Sequence, residues 1–96
     1  MKAKIDVSRA ESGRVFRVTV HEAGGRTTHE VTVREDTHRR LAEASEPEQL
    51  IEAAFRFLLD REPKESILHR FDLMVISHYF GDFEERISDY LAFDAD

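Results

Sequence analysis

Ser66 and His69 stand three residues apart, and Glu65 and His69 four. On a helix that spacing brings a hydroxyl, an imidazole and a carboxylate to one face. These are the residue types of a nucleophile, its base and the group that orients the base, so a small hydrolase around Ser66 and His69 is one reading. The chemistry needs the base between nucleophile and orienter, and an oxyanion hole within reach. One exposed turn does not hold three groups that way, and the G-x-S-x-G turn is absent. No catalytic residue is therefore assigned. The knot Arg61-Glu62-Pro63-Lys64-Glu65-Ser66, with His69 and Arg70 just beyond, reads more simply as a charged helix start. Arg61, Lys64, Ser66, His69 and Arg70 remain as candidate contacts for a ligand or partner.

Other chemistry finds less support. The five histidines show neither H-x-x-x-H nor H-E-x-x-H spacing, and His21 and His29 fall on opposite faces of the sheet expected below. No metal set is assigned. The four glycines make no phosphate-cradling loop, and no cofactor is expected. Without cysteine there is neither a disulfide framework nor a thiolate nucleophile. Residues 67–80 superficially match a helix-turn-helix core, which makes a nucleic-acid-binding regulator the alternative reading. That match is short through the turn. Its would-be recognition helix begins Met74-Val75-Ile76, and acidic Asp82, Glu84 and Glu85 follow. Nucleic acid is disfavoured.

The balance of charge agrees. Residues 1–40 carry nine Lys/Arg against six Asp/Glu, whereas residues 41–96 carry five against fourteen. The second half repels polyanions. A chain 41% hydrophobic and 35% charged is too apolar for disorder and too charged for a membrane span. The opening residues lack the apolar run of a signal peptide. A soluble, cytoplasmic protein without membrane contact is the expectation.

The elements that must position these residues follow from periodicity. Ala3, Ile5 and Val7, then Phe16, Val18 and Val20, then Val31 and Val33 alternate with polar residues, as in half-buried strands. A two-residue turn at Gly24-Gly25 would set Val18 against Val31 and leave His29 opposite Val20 at the sheet margin. A four-residue loop Ala10-Glu11-Ser12-Gly13 would set Val7 against Phe16 and Asp6 against Arg17. Both turns leave one oily face. After a short helix from Asp36, Ser45 and Glu48 have capping-box spacing around Pro47. The helix that follows is apolar over most of its circumference, with Glu52 and Arg56 spaced as an ion pair. Pro63 ends it and would start a short helix to Phe71 burying Ile67, Leu68 and Phe71. Asp72 and Asp82 would cap two further helices, with Gly81 closing the first of them.

The run FRFLLDREPKESILHRFDL from Phe55 to Leu73, with Ile76 and Tyr79-Phe80 beyond it, resembles a family of small uncharacterised bacterial proteins. Their pattern is FLL-x-REPKESIL, a basic-x-F-D-L and an I-x-x-YF. The resemblance covers the C-terminal half and implies a free-standing unit, with no activity attached.

The chain thus reads as one α+β domain over 1–96. A three-stranded antiparallel meander (1–33) is followed by four to five helices packed on one face of the sheet (34–93) and a frayed tail (94–96). The function expected is that of a non-catalytic interaction or accessory module. It would bind a protein partner or self-associate through an open edge, strand 3 (Arg26 to Val33) in preference to strand 1 with its edge-protecting Lys2 and Lys4.

Overall fold

The computed structural model describes residues 3–10 and 13–94. Three strands form where alternation places them: β1 (Lys4–Arg9), β2 (Val15–Glu22) and β3 (Gly25–Thr32). Both hairpins close two residues away from the expected register. Val18 faces His29 and Phe16 faces Val31 across β2–β3, while Val7 faces Val18 across β1–β2. For β2–β3 the reason lies in the turn. A tight turn matching strand twist wants two consecutive residues at positive φ, and Ala23 (55°) and Gly24 (79°) supply them. Gly25 instead opens β3. A shift of two keeps every side chain on its own face, so Val18, Val20 and Val31 are all fully buried on the oily side. Asp6 meets Thr19 rather than Arg17 across the ladder, and its carboxylate pairs with His21 at 3.1 Å. Of the first loop, Glu11 and Ser12 lie outside the described residues, as does Lys2.

The helices are α1 (Glu35–Ala42), α2 (Pro47–Leu59), α3 (Val75–Tyr79) and α4 (Phe83–Asp94). The chain is α+β, with its helices following the first three strands. α2 is the central element. Leu50, Ile51, Ala53, Ala54, Phe55 and Phe57 on it are completely buried. Glu46 and Gln49 form its capping box, one residue beyond the expected Ser45 and Glu48. The Glu52–Arg56 pair forms at 3.0 Å. Phe55 points to the sheet side, 5.3 Å from the His29 ring, and Phe57 to the other, 5.2 Å from Phe83. The Asp82 side chain, expected as a cap, instead accepts from Arg61 at 2.8 Å. Gly81 keeps a negative φ and makes no left-handed cap. α4 runs through Asp94, and the rest of the expected tail lies outside the described residues.

The main departure is β4 (Arg70–Asp72), a fourth strand that pairs parallel with β3 and makes the sheet mixed, in the order β1-β2-β3-β4. The helix expected over 63–71 shrinks to a 3₁₀ turn, Lys64–Ser66, ended by Ile67 at ψ 133°. The N–H and C=O groups along β3's outer edge need partners, and the extended segment supplies them. Glu30 donates its N–H to the His69 carbonyl at 2.7 Å, and Leu73 donates to Thr32 at 2.9 Å. Strand 3 therefore has no open edge along this stretch, and association through it is ruled out there. β1 and the three-residue β4 are the edge strands of the sheet. Parallel pairing demands a long crossover between the strands, and α1 and α2 provide it.

Candidate functional site

The polar residues singled out from the sequence do not converge. Arg61 lies over the Phe57 ring, its guanidinium carbon 3.6 Å from the centroid, and its Nη2 donates to Asp82 at 2.8 Å. Desolvation of the guanidinium is outweighed by hydrogen bonds and charge from Tyr90 and Asp82, and its pKa is raised. Arg61 thus ties α2 to α4 through a cation–π contact and an ion pair. Lys64 is buried, with its ammonium on Glu65 at 2.8 Å, and that hydrogen bond holds the Glu65 carboxyl below its ordinary value. Arg70 donates to Glu30 at 3.1 Å across the β3–β4 pair.

His69 is taken up by structure. Its Nδ1 donates to the Thr28 carbonyl at 3.2 Å, while the Nδ1 of His29 donates to the Leu68 carbonyl at 2.7 Å. The carbonyls accept only, so both ring protons are assigned. His29 Nε2 then accepts from the Thr27 hydroxyl at 2.8 Å. The two rings stack with centroids 5.7 Å apart. Together they clasp the segment leading into β4 onto β3. His29 is 1% exposed with both nitrogens satisfied, not at the sheet margin with one in solvent. Burial lowers its pKa, opposed by the Leu68 hydrogen bond and assisted by His69. The Ser66 hydroxyl makes no hydrogen bond to His69, and Ile67 between them is extended, so no helix face carries both. The same extended backbone removes the helix pair expected over 67–80, since only Val75–Tyr79 is helical there. Among the described residues no three histidine or acidic side chains gather as a metal set. No helix there is long and apolar enough to cross a membrane.

What the same stretch does build is a groove of about 370 Å³ between the 62–71 segment and α3. Its floor is buried Leu58, Ile67, Phe71 and Ile76. Leu68 borders it on the strand side and Tyr79 on the helix side, 48% and 66% exposed. No other large hydrophobic residue described between positions 3 and 91 stays so open. Two polar residues line it, Ser66 and Glu62. Glu62 is half-buried, and among the described residues its carboxylate has neither an ion pair nor a hydrogen bond. Desolvation alone raises its pKa.

Of the candidate contacts, Ser66 alone reaches this groove. Glu62, Leu68 and Tyr79 were not singled out, yet a signal was present. Ile67-Leu68 and Tyr79-Phe80 are adjacent apolar pairs. Neighbours on a helix diverge by about 100° and on a strand by 180°, so one member of each pair tends to stay outside.

Compared with models of protein families, with curated proteins and with solved structures, the chain matches none.

Proposed function

We propose that this chain is a non-catalytic interaction module whose partner, a protein, seats in the groove between the 62–71 segment and α3. The observation that carries the reading is the pair Leu68 and Tyr79, exposed at the borders of an apolar trough. Large apolar side chains left open around a concavity mark interaction sites more often than chance exposure does. Tyrosine suits the role because it brings area and a polar tip at small entropic cost. The absence of a positioned nucleophile–base pair at Ser66 and His69 leaves the hydrolase reading without a geometry to support it. The regulator reading loses its helix pair in the same way.

A photo-reactive residue placed at Tyr79 tests the proposal in cells. Discrete cross-linked species that vanish on adding Leu68→Ser support it. The same species from a probe at Thr28, exposed on the far face of the sheet, or none from Tyr79, count against it.

A further inference from the structure

We infer that the groove selects a partner segment that presents one large apolar side chain with a lysine or arginine beside it. This rests on the groove being an interaction surface and names what it takes. Glu62 is the single charged residue in the lining, and no cation among the described residues meets it. An unpaired carboxylate against apolar walls is costly to desolvate further. A purely apolar occupant would cover it and leave it worse off. An acidic occupant would add repulsion. A cation closes the account by pairing with it as the water leaves.

Two further observations narrow the occupant. At about 370 Å³ the groove is near the small end of the ~300–1,000 Å³ range of ligand pockets, which suits an anchoring side chain or two. Leu68 and Tyr79 extend the apolar surface past the trough, and a peptide segment covers both where a small amine would not. The charge of the surroundings acts in the same sense. Residues 41–96, which include the 58–80 stretch that lines the groove, hold fourteen acidic against five basic residues. That field draws a basic segment in and opposes a second copy of this acidic chain.

A phage-displayed library of random 12-residue peptides, selected on the whole chain, tests the inference without presupposing a sequence. Enriched clones should share a Leu, Ile, Phe or Met within two positions of Lys or Arg. A synthetic copy of the leading clone should bind Glu62→Gln at least fivefold more weakly than the wild type, and Glu62→Asp should restore part of the loss. Enrichment of apolar peptides without basic residues, or equal binding to Glu62→Gln, overturns the inference and leaves the groove an interaction surface. Enriched peptides insensitive to Leu68→Ser, or no enrichment at all, overturn both. Sedimentation showing a dimer that Leu68→Ser dissociates overturns the basic segment in favour of a second copy.

Discussion

The two sides of α2 differ in how completely they close. Towards the sheet, Phe55 packs with His29 and Phe71, and the polar atoms of His29 are both bound. Towards the 62–80 segment, Leu58 floors an open groove with Leu68 and Tyr79 at its borders. Lys64 and Glu62 show the contrast at the scale of one turn. Lys64 is buried and paired, whereas Glu62 is half-buried and unpaired. Folding alone rewards the first arrangement and gains nothing from the second. Residues that folding leaves unserved, gathered in one concavity, are what a binding surface requires.

The comparison breaks most visibly in the core. Phe55, fully buried against His29 and Phe71 on the sheet side, should cost about 3–5 kcal/mol as Phe55→Ala in denaturant unfolding. Leu68→Ser should stay within about 0.5 kcal/mol of the wild type by the same measurement. Comparable losses would mean that the groove side is as tightly built as the sheet side.

Next comes acid. Because the folded His29 holds its proton less readily than the unfolded chain, stability is full above the ordinary histidine value of about 6.5 and is lost as pH falls through the lower folded value. Melting temperature followed from pH 7.5 downward should drop in that window, and His29→Gln should flatten this part of the slope. An unchanged slope would remove His29 as its source. Smaller again is the turn. Ala23 sits at φ 55°, a conformation that costs an ordinary side chain roughly 1–2 kcal/mol and asparagine less. Ala23→Asn should raise stability by about 0.5–1 kcal/mol in thermal unfolding.

The smallest effect sharpens the contrast most. Desolvation raises the Glu62 pKa in the folded chain, so its ionisation opposes folding above the ordinary glutamate range. Glu62→Gln should therefore stabilise the chain at pH 7 by up to about 0.5 kcal/mol. The gain should disappear below about pH 4.5, where both states are protonated. A loss of stability at pH 7 would reveal a partner for Glu62 within the chain.

Much of this architecture was legible in the residues. Alternation identified β1 to β3 and their common oily face, and the near-continuous apolar surface of α2 identified the central helix. The β2–β3 register slipped by two because Gly24-Gly25 invites the turn onto both glycines, while Ala23 accepts positive φ in its place. β4 was hidden because Arg70-Phe71-Asp72 is too short to display a period, and because Ile67, Leu68 and Phe71 also fit helical spacing. What decides between them is the unfilled edge of β3 and the clasp between His29 and His69, contacts 39 and 41 residues apart in the chain. The candidate site failed for the same reason. Its residues were gathered on a helix face that does not form, and the groove appears only once the segment is extended.

A methyl-resolved NMR titration of the whole chain with the selected basic–apolar peptide tests the central claim most directly. The account predicts saturable shifts at Ile67, Leu68, Val75 and Ile76, with Ile5 and Val7 of the open β1 edge unmoved. Shifts at β1 with the groove methyls silent would contradict it.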